Sequence, residues 1–433
     1  MSYKRIAVIG SGISGLTTSY LLQQQYEVTL FEKQDYLGGH TNTVDIADNN
    51  EVYPVNTGFI VFNDWTYPNF IRLMEHLGVE SEDSTMSFSV RCDQSGLEYN
   101  GSNLNTLFCQ RRNLVSLRFW RMIKDIMRFN NEATQHYKNG SLESGITLQD
   151  YLTRHGYGEE FIRYYIVPMG AAIWSAPESD MLAFPATFFI RFFHHHGLLS
   201  IDNRPQWRVI SGGSRSYVEV LKRKLTGSVH INLGINEILR DSHGVTLVDE
   251  DGGQHHFDAV ILACHSDQAL SMLDQPTRQE QEVLGAIPYQ SNSVVLHTDT
   301  RLLPRSKNGW AAWNYRIPSN SGQPVTVTYN MNILQNFRSN TTFCVSLNQD
   351  DDIDSNRILR RYQYSHPAFT LEGMQAQRRF DEINGQKHTY FCGAYWFNGF
   401  HEDGVNSAIR VAQSLNVRFD DVVPPCTAQS IRA

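Results

Sequence analysis

Three glycines and one acid carry the first chemical signal in this chain. Gly10, Gly12 and Gly15 stand in "IAVIGSGISGL", and Glu32 follows 17 residues beyond Gly15. A glycine at position 10 allows a tight turn, and one at 12 leaves no side chain in the path of a pyrophosphate. The third, Gly15, lets a following helix pack close to the strand before it. Ser14 opens that helix, just after Ile13, and its free N–H groups would face the phosphates. Glu32 can accept hydrogen bonds from both hydroxyls of an adenosine ribose. The chemistry indicated is dinucleotide binding. A second glycine pair, Gly38-Gly39, follows the acid closely enough to approach the same pyrophosphate from its other side.

The motif has meaning only if the right elements hold it. Residues Arg5 to Gly10 read as a short buried parallel strand stopped by glycine. A helix is expected over Ser14 to Gln24, and a second strand over Glu27 to Phe31, ending at the acid. Strand, helix, strand and carboxylate thus occur in register.

Bulk properties narrow the class. With 433 residues, 41% of them hydrophobic and 19% charged, the chain reads as globular, with two domains or one domain carrying large insertions. A net charge of −8 argues against nucleic acid as the main partner. The six cysteines are scattered without metal-ligand spacing, and a reduced cytoplasmic compartment is the natural setting. No apolar run reaches bilayer-spanning length, so the expectation is a soluble protein, or one resting on the inner membrane surface.

Further blocks carry a resemblance. "EKQDYLGGHTNT" (32–43), "VNTGFIVFN" (55–63), "RVISGGSRSYVEVLKRKL" (208–225), the hairpin-forming stretch 227–264 and "YFCGAYWFNGFHEDGVNSAIRVAQSL" (390–415) are similar to the FAD-binding flavoproteins of the amine oxidase and phytoene desaturase superfamily. The resemblance implies an α/β fold: a doubly wound, Rossmann-like FAD-binding domain with a helical plus antiparallel-sheet substrate domain. The FAD domain is expected over 1–63, 205–285 and 386–433, and the substrate or cap domain over 64–204 and 286–385. Lys33, His40, Thr57, Gly58 and Phe59 are expected near the cofactor, with Ile235 near the adenine. Gly393 and the helix start through His401, Glu402, Asp403, Gly404 and Val405 are expected near the flavin pyrimidine. This chain departs from the pattern where His40 replaces the usual Arg and Asn56 the usual Asp.

The resemblance implies oxidation by hydride transfer to flavin N5. Three features of flavin amine oxidases do not carry over fully. The strand within 289–299 contains no lysine, and Phe400 fills one of two aromatic substrate positions. The cysteine motif for covalent attachment is absent, so FAD is expected to be non-covalent. "TGFIVFN", "TYPN", "FFHHHGLL", "NRPQW", "CHSDQAL", "AAWNY" and "GFHEDG" look closer to a bacterial branch whose genes often lie beside cyclopropane fatty acid synthases. That likeness implies an apolar substrate, an unsaturated or methylated fatty acyl chain. An amine is the main alternative, and a non-redox isomerase or structural flavoprotein is an alternative of another class.

Other residues admit two readings each. The ring of His401 either exchanges a proton near substrate, as the catalytic histidine, or only packs while its backbone serves. Trp174, Tyr395 and Trp396 either line a substrate cavity or fill a core. His194-His195-His196 cannot converge on one ion from a regular element, and a structural or surface role is expected. Cys264 and Cys392 end apolar strands and are expected to be buried and inert. In 111–129, Arg118, Arg121, Asp125 and Arg128 share one helical face, with Phe119, Met122, Ile123, Ile126 and Met127 largely opposite. This is either a helix for an anionic membrane surface or an ordinary cap helix with a solvated basic face.

Overall fold

A computed structural model describes residues 3–143, 145–319 and 326–425. Its first organising element is a five-stranded parallel sheet. Arg5–Ile9 is flanked by Glu27–Phe31 and Ala259–Leu262, with Ser228–His230 and Thr389–Phe391 at the two edges. Ile6, Ala7, Val8, Val260 and Ile261 are fully buried, as expected where both faces of a parallel sheet are covered. The cover comes from the helices Ile13–Leu22 and His401–Ser414, which pack on each other, and from a three-stranded antiparallel meander, Ile235–Phe257. Phe257 of the meander meets Phe31 edge-on, with ring centroids 5.9 Å apart.

The first strand ends at Ile9, one residue before the expected limit, because Gly10 turns to φ +98°. The helix runs Ile13–Leu22 and the second strand Glu27–Phe31. The segment "FDAVILAC" gives the strand Ala259–Leu262, and the hairpin turn falls between Asp249 and Gln254.

A seven-stranded sheet forms the second layer. The order is Ile358–Pro367, Tyr289–His297, Cys344–Leu347, Val327–Asn330, Trp313–Ile317, Phe88–Cys92 and Glu98–Asn100. Its neighbours are antiparallel except where Trp313–Ile317 runs parallel to Phe88–Cys92. The stretch 64–204 is therefore not purely helical. It supplies the last two strands of this sheet, and Ser81–Ser84 pairs with Trp207–Ile210. Its helices, chiefly Leu117–Lys138, Val167–Trp174 and Ala186–His195, build the second hydrophobic core around Phe129, Phe161, Phe189 and Phe193. Asp350 and Asp352 pair with Arg361 and Arg316.

The basic helix is only partly as read from sequence. Ser116 caps Leu117–Lys138 by accepting the Phe119 N–H. Phe119 and Met122 are buried in the core, whereas Met127, placed with them on the apolar face, is exposed. Arg128 lies over the Tyr157 ring and donates to the carbonyls of His155 and Gly156. Among the described residues no helix is long and apolar enough to cross a membrane.

Candidate functional site

The glycine loop is shaped by backbone contacts that leave no room elsewhere. A Cβ on Gly10 would stand 2.7 Å from the Ala263 carbonyl oxygen, and one on Gly15 only 1.9 Å from the Gly10 oxygen. At Gly12 the reverse holds: a Cβ would meet nothing within 4 Å, because this position faces open cavity. The second glycine turn folds onto the first. Gly38 N–H donates to the Ser11 carbonyl at 3.1 Å, and a Cβ on Gly39 would stand 3.3 Å from the Gly12 Cα. Glu32, at the end of the second strand, accepts the Ser11 N–H (2.9 Å), the Ser11 hydroxyl (2.6 Å) and the Gln34 N–H (2.8 Å). Its carboxylate is thereby fixed at the rim of the loop.

From this loop a cavity of about 1300 Å³ runs between the two sheets. Single-ligand pockets typically span ~300–1,000 Å³, so there is room for a dinucleotide and a second molecule. Gly10, Gly12, Ile13, Ser14, Glu32, Lys33, Gly38, Gly39, His40, Thr57, Gly58, Phe59, Ile235 and Gly393 all line it, as do Trp174, Tyr395, Phe400 and His401. Lys33 pairs with Glu250 at 2.9 Å. The long separation in sequence between these groups is closed by the parallel sheet and by the packing of the two flanking helices.

Six of the expected residues do not line the cavity. Gly15 acts behind it, as the helix-packing glycine. Trp396 is in the core: its indole N–H donates to the Phe391 carbonyl at 3.1 Å and its ring packs edge-on against Phe380. Glu402 instead accepts the N–H groups of Asn69 and Phe70, capping the helix Pro68–Leu77. Asp403 accepts the Phe400 N–H at 2.8 Å, and burial raises its carboxyl to about 7. A Cβ on Gly404 would stand 2.6 Å from Ile13 Cγ2, so this glycine sets the approach of the two helices. Val405 is fully buried. These residues hold the cavity wall in place without forming it.

The His401 ring is engaged on its face and at its edge. Its ring stacks on Phe59, centroids 3.5 Å apart, and Nε2 lies 2.9 Å from Thr41 Oγ1 and 3.2 Å from the Tyr217 hydroxyl. Burial pulls its pKa down to about 3. A ring so held is neutral near pH 7 and suits a positioned wall better than a proton carrier, which works best with a pKa near the operating pH.

The structure adds a cluster that the sequence motifs contained but did not connect. His40 lies 5.3 Å from His366 and 5.9 Å from His265 between ring centroids, with Tyr364 at 5.0 Å. Burial holds His40 well below the usual imidazole range, and His366 at about 4. His40 Nε2 is buried without a hydrogen-bond partner. The signal was present in "GGHTNT", "CHSDQAL" and "YSHPAF", three stretches that only the tertiary fold brings together. Aromatic pairs that no sequence motif joins add to it: Phe192 stacks on Phe400 at 5.4 Å, and Phe188 on Phe369 at 5.4 Å. Of the three consecutive histidines, His196 stacks on Phe192 in the cavity wall, and His195 Nε2 meets the Tyr137 hydroxyl at 2.7 Å. Cys264 lines the cavity and Cys392 is buried, with burial pushing their thiols up to about 12 and about 11.

These features fit a bound FAD. The loop at Gly12 and Gly39 is a cradle that side chains would fill, Glu32 retains free lone pairs, and His40 presents an unpaired nitrogen. Comparison with known proteins agrees. The family model for flavin containing amine oxidoreductase matches residues 13–347. Polyamine oxidase 4 of rice (Oryza sativa subsp. japonica) is 23% identical over 275 residues, covering 59% of this chain and 50% of its own length. Carotenoid phi-ring synthase of Chlorobaculum tepidum is 26% identical over 267 residues, covering 58% of this chain and 38% of its own. The chain thus spans half or less of the length of the curated relatives it matches. Among solved structures, a CLA-producing fatty acid isomerase from P. acnes superposes with a TM-score of 0.68 at 15% identity, over 95% of this chain and 98% of that one. With three quarters of its length under the family model and this fold around a glycine cradle suited to FAD, the chain belongs to the flavin containing amine oxidoreductase family.

Proposed function

We propose that this chain is an FAD-dependent oxidoreductase whose substrate is apolar, an unsaturated or methylated fatty acyl chain in the first place. Bound FAD supplies the two-electron acceptor. The observation that carries the substrate class is the cavity's charge. Glu32 is the one carboxylate among the described lining residues, and it is engaged at the nucleotide end by Ser11 and Gln34. A cationic amine would lose its water there without a counter-charge, which is costly. A hydrocarbon chain would instead replace water against Phe192, Phe369, Phe400, Trp174, Met169 and Ile173.

A cation in the lining extends the reading. Arg204 is the one arginine among the described lining residues, and it neighbours Tyr165. A guanidinium there suits the carboxylate or phosphate head of an acyl compound. The neutral histidines and Phe59 would exclude water and orient the chain. The fatty acid isomerase neighbour supports an acyl substrate by its name alone. The rice polyamine oxidase supports the amine reading, which the cavity's charge opposes.

Anaerobic mixing of flavin-loaded protein with acyl-chain vesicles and, separately, with an amine panel tests this directly. Loss of the flavin's visible absorbance with lipid alone is the expected result. Loss with an amine alone overturns the substrate class. An isomerised acyl product with no net loss of hydrogen assigns the non-redox alternative instead.

A further inference from the structure

The surface around residues 104–124 does not look like the rest of the molecule. Of the eleven exposed large apolar side chains among the described residues, six lie between 104 and 127: Leu104, Leu114, Val115, Leu117, Trp120 and Met127. Val115 is 86% exposed, and Leu104 and Leu117 are each 75% exposed. Isolated exposed apolar residues are ordinary, but a contiguous set marks an interaction surface. Contacts tie these together. The Trp120 indole N–H donates to the Leu114 carbonyl at 2.9 Å, and its ring packs at 5.5 Å on Phe108, which closes the turn that Leu104 opens.

The charge around this patch is one-sided. Arg111, Arg112, Arg118, Arg121 and Lys124 are all exposed, and residues 104–124 contain no Asp or Glu, in a chain of net charge −8. The one described ion pair among the five is long, Arg118 to Glu160 at 3.9 Å. Arg111 and Arg112 donate to neighbouring polar groups on their own stretch of chain, Asn105 and Gly96 among them. The surface thus combines protruding aliphatic side chains, a tryptophan with a polar edge and a ring of cations.

We propose that this patch docks the protein on an anionic lipid bilayer, with Leu104, Val115, Leu117 and Trp120 entering the interface and the five cations resting on lipid headgroups. A second copy of this chain fits the patch poorly. A two-fold pair would set one cationic ring against its equal. The position has a consequence for traffic. Gly101 and Ser102 belong to the cavity wall, and Leu104 follows two residues later. A docked molecule would hold this side of the cavity against the membrane. The docking stands on the surface itself and does not depend on the acyl-chain reading of the cavity.

Co-sedimentation of the flavin-loaded protein with phosphatidylcholine vesicles, with and without phosphatidylglycerol, reads binding without turnover. Binding is expected with phosphatidylglycerol and should weaken with added salt. Arg121→Gln with Lys124→Gln should lower the affinity roughly 25-fold, at about fivefold per charge. Val115→Ser with Leu117→Ser should lower it roughly tenfold or more. Unchanged flavin content and melting temperature show that both double variants remain folded. Absence of binding to phosphatidylglycerol vesicles at low salt overturns the proposal, as does binding that both variants retain. A shift from dimer to monomer in the apolar variant, measured by sedimentation without lipid, also overturns it and assigns the patch to self-association.

Discussion

The clearest test of the cradle is Gly12→Val. Gly12 has φ −62° and ψ 177°, an extended conformation that valine adopts without strain. A Cβ there meets nothing within 4 Å. The apoprotein should therefore fold as the parent does. Replacing glycine where the backbone is compatible stabilises a protein by ~0.4–1 kcal/mol through the unfolded chain. The added side chain stands in the space where a pyrophosphate would reach the N-terminus of Ile13–Leu22. Pushing the phosphates away removes on the order of two charge-assisted hydrogen bonds, at ~1.5–3 kcal/mol each. The expected loss is ~3–6 kcal/mol, or roughly a hundred- to ten-thousandfold in FAD affinity. The assay is paired: the ratio of visible flavin absorbance to protein absorbance after purification, and the melting temperature of apoprotein. Flavin-free protein with an unchanged or slightly raised apoprotein melting temperature is the predicted result. Full flavin occupancy would refute the placement of the cofactor on this loop, and a collapsed melting temperature would refute the open space at Gly12.

Gly15→Ala should behave oppositely, because its Cβ falls 1.9 Å from a backbone oxygen; it should lower stability by ~1–3 kcal/mol or more, read as a drop in apoprotein melting temperature. Glu32→Gln should weaken FAD binding by roughly ten- to a hundredfold, since one charged acceptor is lost, and titration of apoprotein with FAD measures it. Burial raises Asp403 to about 7, so its favourable contribution is full below about pH 4 and is lost as pH rises through about 7. Asp403→Asn should remove that dependence, and subtracting its apoprotein stability from the parent's across this range should show a difference of up to ~4 kcal/mol. His196 and His366, held at about 4, and His401, at about 3, act in the other direction. Their contribution is present above about pH 6.5 and disappears as pH falls, so chemical denaturation of the parent below about pH 6 should show a steep loss of stability.

Much of the cofactor end was legible in sequence because its physics is local. Gly10, Gly12, Gly15 and Glu32 are separated by one strand and one helix, and each must be what it is for reasons of backbone space or acceptor chemistry. The strand Glu27–Phe31 came out as read, while helix ends moved by one or two residues, as terminal turns do. The substrate end was harder because its neighbours are remote. Phe192 and Phe400 are 208 residues apart, and His40 meets His366 across a longer span still. Side-chain direction was also hidden. "AYWFNGFHEDG" contains Tyr395 and Phe400, which face the cavity, and Trp396, Glu402 and Asp403, which do not. The irregular backbone from Gly393 to Phe400 has no period from which facing could be read. In the basic segment, helical periodicity grouped Met127 with Phe119 and Met122. The protruding residues lie instead mainly in the 3₁₀ turn Arg111–Val115 and the first turn of the following helix, where that period does not yet apply.

The order of strands in the parallel sheet has a consequence for how the protein is made. The central strands, Arg5–Ile9 and Ala259–Leu262, pair across some 250 residues, and the edge strand Thr389–Phe391 follows well over a hundred residues after the second of them. The helix His401–Ser414, which closes on Ile13–Leu22, leaves the ribosome later still. The nascent chain therefore carries its glycine loop exposed, beside an unpaired strand edge, until those later segments have been made. Pairings of such long sequence separation form slowly and leave apolar strands open to aggregation. A cofactor that binds only the closed form would shift that last docking step toward the folded state by mass action. Yield on overexpression should then follow the cell's supply of flavin, making vitamin status part of this protein's folding environment.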